Sequence, residues 1–444
     1  MTATETGADS QAPIAATAPG LTPWARVKAI LGGSAGNLVE WYDWFAYSSF
    51  ALYFAKHFFP KGDDTAQLLQ TAAVFAVGFL ARPLGAWMMG LYADRAGRRA
   101  ALSLSVAMMC AGSLIIACTP NYATIGQAAP VILTLARLLQ GLSVGGEYGA
   151  SATYMSEMAG RDRRGFWSSF QFVTLIMGQL LALAVLILLQ NVMDKADLEA
   201  WGWRIPFFIG AALAVVVFWI RRGLEESASF VAAQAEGAQR SHTMMLFLHH
   251  PKETWMIFGL TAGGSLAFYA YTTYMQKFLV NTAGFSKDAA TGITAGALVV
   301  YMLCLPLFGW LSDHLGRKTM LAYTFGAGAL ATYPLMSAIG GTADGWTAFG
   351  LMVLLLLILS GYSSVSAVVK SELFPAHVRA LGVALPYATA NAIFGGTAEY
   401  VALWFKGQGQ ESGFYIYVSA IMAVALVIAV RLRDTNRHSL ILEH

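Results

Sequence analysis

The chain has 444 residues, of which 57% are hydrophobic and only 12% are charged, with a formal net charge of +3. Soluble domains of ordinary composition carry about twice that charged fraction, so the sequence excludes a water-soluble protein built on one globular core. The composition indicates a set of helices that cross a lipid bilayer.

The first 23 residues are rich in Ala, Thr and Gly and lack the apolar stretch of a signal peptide, so we predict a disordered cytoplasmic tail. Beyond them, apolar runs of about 20 residues recur between short polar loops, which is the length a helix needs to cross the hydrocarbon core. We therefore predict twelve transmembrane helices, here called spans 1 to 12. In chain order they cover residues 28–56, 67–92, 100–119, 129–154, 166–191, 203–221, 253–279, 288–311, 319–340, 347–371, 380–405 and 412–432.

The longest polar break follows span 6 and divides the spans six and six. We predict an N-terminal six-helix bundle over residues 24–221, called the N-bundle, and a C-terminal six-helix bundle over residues 253–433, called the C-bundle. Residues 222–252 would form a cytoplasmic linker, and residues 434–444 a cytoplasmic tail.

An even number of spans places both termini on the same side of the membrane. If that side is the cytoplasm, most lysines and arginines fall in cytoplasmic loops, as Arg95, Arg161 and Arg317 do, and few fall in the opposite loops. This is the bias of the positive-inside rule. The sequence therefore predicts an inner-membrane protein with both termini in the cytoplasm.

Span 1 carries Asn37, Glu40 and Asp43 at three-residue spacing, which places them on one helix face. At 1.5 Å per residue, Glu40 lies about 18 Å and Asp43 about 22 Å beyond Lys28, near the bilayer midplane. Arg82 of span 2 lies at a similar depth, and charges there are costly and usually functional. Either Arg82 forms a structural ion pair with span 1, or it binds a substrate carboxylate while Glu40 or Asp43 exchanges a proton.

Span 4 offers a second buried cation, Arg137, with Gln140 one turn deeper. The planar guanidinium can donate two parallel hydrogen bonds to a carboxylate, so Arg137 and Gln140 are candidates for binding an acid. Glu147, nearer the cytoplasm, would either carry protons or hold an arginine. No histidine falls at the midplane of a predicted span, so a carboxylate would have to carry any transported proton.

The C-bundle is poorer in charge, and its substrate-binding candidates are Tyr274, Gln276 and Asn391. Tyrosines also populate the membrane interface, so a structural role is the alternative. We place Lys277 at the outer edge of span 7 and expect Lys370, at the cytoplasmic end of span 10, to extend its ammonium to water. The three cysteines lack metal-ligand spacing, and we predict neither a metal site nor a cofactor.

A loop motif after span 2 recurs after span 8: residues 90–99 and 309–318 both read G-x-x-x-D-x-x-G followed by two basic residues. A glutamate followed by six residues and an arginine comes after spans 4 and 10. The second half is therefore predicted to be a structural copy of the first. An aspartate in such a loop can accept hydrogen bonds from a helix N-terminus, so we predict a cytoplasmic latch between the bundles, with simple membrane anchoring as the alternative. The latch residues are Asp94, Arg98, Asp313, Arg317, Glu157, Arg164, Glu372 and Arg379.

The repeated loop motif resembles that of the major facilitator superfamily, and the resemblance extends over the whole chain. It implies two pseudo-symmetric six-helix bundles, alternating access and a functional monomer. At finer level the sequence is similar to the metabolite–proton symporter family and to its α-ketoglutarate permeases, which implies import of 2-oxoglutarate driven by protons. The residues that carry the finer resemblance are 36–43, 79–85, 137–149, 201–206, 67–71, 272–277 and 391–402.

Other functions stay open at this point. Citrate, shikimate or a zwitterionic osmolyte are rival substrates, and a receptor that has lost transport is a rival of another class. A channel would not need the repeated latch motifs, and an enzyme would need a catalytic constellation that the sequence does not offer. The expected partners are an organic acid, protons and the lipid bilayer, with no nucleic acid.

Overall fold

The computed structural model describes residues 23–96, 98–144, 152, 156, 161–222, 248–435 and 439. Of residues 23–36, 90–91, 93–96, 98–102, 161, 220–222, 376–377 and 380 it describes the backbone alone. A helix occupies each predicted span. Spans 1 to 6 are Pro23–Phe58, Asp64–Ala96, Arg98–Cys118, Ala128–Val144, Arg164–Val192 and Ile205–Arg222. Spans 7 to 12 begin with Pro251–Phe268, Lys287–Leu315, Arg317–Gly341, Gly345–Glu372, Ala376–Ala390 and Glu411–Arg431.

Six of the described helices are long and apolar enough to cross a membrane by length and composition, namely those of spans 2, 5, 6, 8, 10 and 12. Spans 3 and 4 contribute shorter apolar helices, Ser103–Cys118 and Ala128–Val144. The remaining four, spans 1, 7, 9 and 11, all contain buried charged side chains. Hydropathy is therefore weakest in several of the spans that carry the polar groups of the molecule.

The packing of the spans repeats between the two halves. In the N-bundle, span 1 packs on span 5, span 2 on span 4, and span 3 on span 6. In the C-bundle, span 7 packs on span 11, span 8 on span 10, and span 9 on span 12, which is the same pattern displaced by six spans. Across the interface, span 5 packs on span 8 and span 2 packs on span 11. Spans 5 and 8 correspond to spans 11 and 2 of the other half, so the repeat relates these two contacts as well. The predicted all-α fold with two pseudo-symmetric bundles is confirmed.

Glycine allows the bundles to approach closely where span 8 ends and span 5 begins. A Cβ built on Gly309, the first residue of the loop motif, would lie 2.6 Å from the carbonyl oxygen of Gly165. Spans 8 and 5 therefore touch backbone to backbone at this point, because neither position carries a side chain. The glycine of the repeated motif has the packing role that the sequence predicts.

Two spans of the C-bundle contain a π-helical turn. Span 7 passes through Tyr269–Thr273 and continues as Met275–Asn281, and span 11 passes through Asn391–Gly395 and continues as Ala398–Gly407. Such turns insert a residue into the helical repeat and occur frequently at functional sites. The first residues of the two turns, Tyr269 and Asn391, interact through their side chains.

The tail after span 12 packs against the starts of spans 5 and 9. Asp434 accepts a hydrogen bond from the backbone N–H of Arg317 at 3.1 Å, and Thr435 is buried. The Ser439 hydroxyl accepts a hydrogen bond from Arg164 at 3.1 Å. The division into bundles, linker and tails at the stated boundaries stays a prediction, and residues 1–22 and 223–247 lie outside the described part of the chain.

Candidate functional site

The polar face of span 1 points to two neighbouring spans. Asn37 donates to the Thr174 hydroxyl of span 5 at 3.1 Å and accepts from the Trp41 indole at 3.0 Å. Asp43, two turns further out, faces spans 3 and 4 and is 1% exposed. Although the three-residue spacing places Asn37 and Asp43 near each other on one helix, their partners belong to different helices.

Asp43 lies at the centre of a buried hydrogen-bond network. The Ser113 hydroxyl of span 3 donates to Oδ1 of Asp43, and the Gln140 amide of span 4 donates to Oδ2 at 2.5 Å. The amide oxygen of Gln140 accepts from Arg137 Nη1 at 2.8 Å. Gln140 therefore joins the aspartate of span 1 to Arg137 of span 4.

Arg137 is fully buried and lies among aromatic rings. Its guanidinium carbon is 3.9 Å from the centroid of Trp44, 4.4 Å from that of Tyr47 and 5.6 Å from that of Phe75. Its Nε and Nη2 atoms have no hydrogen-bond partner among the described residues. A desolvated cation with unused donors is costly unless a ligand satisfies it, so this geometry favours anion binding.

Arg82 lies on the other side of Trp44. Its guanidinium carbon is 4.1 Å from the centroid of Trp44, 3.9 Å from that of Phe79 and 5.0 Å from that of Trp41. Its Nε and Nη2 atoms are likewise buried without a hydrogen-bond partner in the described part of the chain. Arg82 and Arg137 are therefore two closely spaced cations that share one aromatic ring.

Glu40 and two side chains of the C-bundle surround Arg82. Glu40 is buried and lies within electrostatic reach of the Arg82 guanidinium and the Tyr269 hydroxyl. The ring of Tyr269 packs edge-on against Phe79, with centroids 5.3 Å apart, and its side chain interacts with Asn391. The predicted candidates Glu40, Arg82 and Asn391 are thus brought into one region at the interface of the bundles.

Tyr274 and Gln276, the other candidates of the C-bundle, point elsewhere. The Tyr274 hydroxyl donates to Glu411 at the outer start of span 12, at 3.4 Å, and Gln276 donates to the Thr291 hydroxyl of span 8, at 3.0 Å. Both side chains are buried. Their substrate-binding role stays a prediction.

Residues of the predicted latch lie between the two bundles, where span 8 ends and span 5 begins, and their role as a latch stays a prediction. The carboxylate of Asp313 accepts hydrogen bonds from the backbone N–H groups of Gly165 at 2.8 Å and Phe166 at 3.0 Å, which begin span 5. It also pairs with Arg317 at 2.8 Å. An aspartate of the C-bundle therefore caps a helix of the N-bundle, in the way that the loop motif predicts.

A second set of charges lies beside this cap. Arg164 Nη1 is 3.5 Å from Glu372 Oε1, and Arg317 Nε is 3.9 Å from Glu372 Oε2. Arg379 donates to the backbone oxygen of Phe374 at 3.1 Å. The corresponding latch candidates of the first half are Asp94, Arg98 and Glu157, and their side chains lie outside the described part of the chain. The same holds for Glu147, a candidate proton carrier.

The sequence matches the family described as "Sugar (and other) transporter" over residues 29–249 and 233–441. The chain belongs to this family of the major facilitator superfamily. It is 53% identical over 412 residues to the alpha-ketoglutarate permease of Escherichia coli (strain K12), a match that covers 93% of this chain and 95% of that protein. It is 33% identical over 424 residues to the citrate-proton symporter of Klebsiella pneumoniae, covering 93% of each.

Solved structures show the same fold at lower identity. The major facilitator proton:xylose symporter XylE superimposes with a TM-score of 0.77 at 18% identity, covering 94% of this chain and 97% of that one. With the family relationships above, this architecture establishes that the chain is a multi-pass membrane transporter and not an enzyme. Among the described residues, no group of three or more His, Cys, Asp or Glu side chains could hold a metal ion.

Two lysines of this transporter are more buried than the sequence suggests. Lys277, which the sequence places at the outer edge of span 7, is 0% exposed and pairs with Glu399 of span 11 at 3.0 Å. Lys370 is 2% exposed, donates to the Ser366 hydroxyl at 2.7 Å and lies 4.2 Å from the centroid of the Tyr387 ring. Its ammonium does not reach water, because neighbouring spans cover the end of span 10. Position along a span gives depth in the bilayer but not burial against other spans.

A solvent-accessible bridge joins the bundles of the transporter where span 5 ends and span 8 begins. Glu199, in the short helix between spans 5 and 6, lies 2.5 Å from Lys56 of the N-bundle and 2.9 Å from Lys287 of the C-bundle. The hydrogen bond from Lys56 is the main cause that lowers the pKa of Glu199 to about 2, and Lys287 lowers it further. The bridge attracts the two bundles to each other only while Glu199 is ionised.

We expect the bridge to be insensitive to pH in the range where the transporter works. A carboxyl group with a depressed pKa gives its full contribution above its ordinary pKa of 4.5 and loses it as the pH falls toward about 2. Glu199→Gln should therefore change the rate of uptake but leave the shape of its dependence on external pH between about 5 and 8 unchanged. Uptake rates measured at a series of external pH values test this, and a shifted midpoint in the variant would contradict it.

Proposed function

We propose that this transporter imports 2-oxoglutarate by symport with protons, through alternating access of a site between the bundles. The observation that carries the proposal is the pair Arg82 and Arg137, buried on either side of Trp44 with unused donors. Two fixed cations suit a dianion. The identity to a protein named alpha-ketoglutarate permease supports this acid over other diacids.

Arg82 and Arg137 would bind carboxylate oxygens through their free guanidinium N–H groups. Charge-assisted hydrogen bonds of this kind are about twice as strong as neutral ones, and burial strengthens them further. The aromatic rings around both arginines keep water out and hold the guanidinium planes in place. Asn391 and Tyr269 would complete the site from the C-bundle, with Tyr274 and Gln276 nearer its outer end.

Proton coupling would arise from Asp43 and its link to Arg137. When a substrate carboxylate engages Arg137, the attraction that keeps Asp43 ionised weakens, and a buried carboxyl group without a cation favours its protonated form. Gln140, which touches both side chains, would transmit this change. Glu40 would respond to Arg82 in the same way, and Glu147 is a further candidate carrier. Asp94, Arg98, Glu157 and Arg379 would complete the cytoplasmic latch.

The transporter would lie in the inner membrane of a bacterium with both termini in the cytoplasm, as the distribution of lysine and arginine favours. It would act as a monomer, because one chain supplies both bundles. The proton gradient would be its energy source, with no cofactor.

The main rivals are other substrates. Citrate and shikimate carry different charges from 2-oxoglutarate, and the citrate-proton symporter is a related protein at lower identity. A zwitterionic osmolyte would leave one of the two arginines without a partner. A receptor without transport activity is the rival of a different class.

Uptake of labelled 2-oxoglutarate into proteoliposomes decides among these functions. With an inward proton gradient we expect accumulation above the external concentration, abolished by a protonophore. An excess of unlabelled 2-oxoglutarate should compete fully, and citrate, shikimate or betaine only weakly. Stronger competition by one of these would reassign the substrate, and absence of counterflow for every acid would favour the receptor.

A further inference from the structure

A second buried charge cluster connects the two bundles above the arginines. Lys277 of span 7 pairs with Glu399 of span 11 at 3.0 Å, and its ammonium donates to the Ser48 hydroxyl of span 1 at 2.6 Å. The Ser48 hydroxyl also lies 3.4 Å from Glu399. The side chains of Lys277 and Glu399 are 0% and 5% exposed. The ion pair belongs to the C-bundle, whereas the serine belongs to the N-bundle.

Tyr47 places this cluster beside the proposed substrate site. Its ring lies 4.4 Å from the guanidinium carbon of Arg137, and its phenol is within electrostatic reach of both Arg137 and Glu399. Ser48 is the next residue of the same helix turn. Lys277 and Arg137 therefore approach adjacent residues of span 1 from opposite bundles. Tyr274 is the other titratable side chain that faces Glu399.

Stability alone does not explain why an ion pair is buried at this position. Desolvation of two charges costs several kcal/mol, and apolar side chains of the same volume are often at least as stabilising. In a carrier, moreover, a substrate can drive closure of the bundles only if it binds the closed state better than the open one. Contacts from both bundles meet this requirement, and Arg82 and Arg137 belong to the N-bundle alone.

The charges around the site also constrain proton uptake. Among the described residues, the carboxylates Glu40, Asp43 and Glu399 balance the cations Arg82, Arg137 and Lys277. A dianion enclosed by this set would leave two negative charges in a low-dielectric region. Protonation of one carboxylate on each bundle restores neutrality at the lowest electrostatic cost.

We propose that Lys277 binds the second carboxylate of the transported acid and that Glu399, displaced from Lys277, takes up a proton from the outer side. In the empty carrier, the Glu399 carboxylate holds the position on Lys277 that the substrate carboxylate occupies later. When the acid leaves toward the cytoplasm, Glu399 releases its proton there and pairs with Lys277 again. The inference rests on the proposed function and names the part of the C-bundle that performs it.

The binding step is tested by calorimetry on purified protein with two probes, 2-oxoglutarate and 2-oxopentanoate, which lacks the second carboxylate. We expect Lys277→Met to weaken the binding of 2-oxoglutarate by about tenfold or more, as truncation of one partner in a buried charge pair does. The affinity for 2-oxopentanoate should stay unchanged. The control is Lys406→Met, since Lys406 also pairs with a glutamate at the outer side of the C-bundle, at 3.5 Å from Glu411. Unchanged binding of 2-oxoglutarate by Lys277→Met would overturn the inference.

The protonation step is tested in proteoliposomes with the membrane potential held at zero. Glu399→Gln mimics the protonated side chain, so we expect it to keep counterflow of labelled 2-oxoglutarate and to accumulate the acid less than wild type at equal proton gradients. Accumulation equal to that of wild type would overturn the role of Glu399. Wild-type protein that neither binds nor transports 2-oxoglutarate would instead overturn the proposed function itself.

A purely structural ion pair makes a different set of predictions. If the pair only stabilises the fold, the double variant Lys277→Met, Glu399→Gln should recover wild-type affinity and accumulation, because no unpaired charge stays buried. We expect the double variant to recover thermal stability but neither 2-oxoglutarate affinity nor accumulation. Recovery of all three would contradict the inference.

Discussion

Replacing Asp43 with asparagine is expected to lower strongly the accumulation of the acid against its gradient while exchange continues. The amide has the shape of the protonated carboxyl group, and its oxygen can still accept one of the hydrogen bonds that Ser113 and Gln140 donate to the two carboxylate oxygens. It cannot release a proton, so the cycle loses one coupled charge. At a membrane potential of about 100 mV one charge is worth about 2.3 kcal/mol, which corresponds to about a fiftyfold loss in the accumulation ratio.

The measurement compares steady-state accumulation with counterflow of labelled 2-oxoglutarate in the same vesicles. Asp63→Asn is the matched control, since Asp63 caps its own helix in an outer loop by accepting from the N–H of Ala66 at 2.8 Å. We expect the control to match wild type in both assays. Uphill uptake in Asp43→Asn equal to wild type would show that another carboxylate carries the proton.

The contact of Asp313 with the start of span 5 was the most predictable part of the site. Asp313 belongs to a motif that occurs twice, and a carboxylate in a loop between helices has few uses besides binding a helix N-terminus. Gly309 was equally informative, since glycine at the start of the motif implied close helix contact. Such inferences succeed because loop chemistry is local, and each residue acts within a few positions of where the sequence places it.

The partner of Asp43 could not be predicted. Arg137 and Gln140 share a helix face by their three-residue spacing, but which face of span 4 meets span 1 depends on how each helix is rotated in the bundle. Helix rotation is set by packing of all neighbouring side chains at once. The sequence therefore identified the groups of the central site without identifying their pairs.

Tyr274 and Gln276 illustrate a different limit. The π-helical turn Tyr269–Thr273 adds a residue to the helical repeat, so side chains beyond it face a direction that regular 3.6-residue spacing does not predict. Tyr274 consequently reaches Glu411 and Gln276 reaches Thr291. Lys277 follows in the same segment, and its contacts with spans 1 and 11 could not be predicted for the same reason.

Removal of the Asp313 carboxylate is expected to open the cytoplasmic side. In the closed arrangement, Asp313 accepts two backbone hydrogen bonds from the start of span 5, and both cross the interface between the bundles. Hydrogen bonds to a charged group contribute about 1.5–3 kcal/mol, so their loss should shift the population toward the cytoplasm-open state by about tenfold or more. Transport should slow, because the return to the closed state becomes unfavourable.

Distances between spin labels at two exposed cytoplasmic positions, Asp162 and His314, report this shift directly. In Asp313→Ala the distribution should move to longer distances, whereas wild type should keep the short one. Asp344→Ala is the matched control, since Asp344 caps span 10 on the outer side through Thr347 at 2.8 Å and contacts no N-terminus of the other bundle in the described chain. It loses the same kind of cap without loosening the interface, so its distances should equal those of wild type. If Asp313→Ala also kept the wild-type distances, the aspartate would cap span 5 without holding the bundles together, and the closed cytoplasmic side would depend on Glu372 and its two arginines instead.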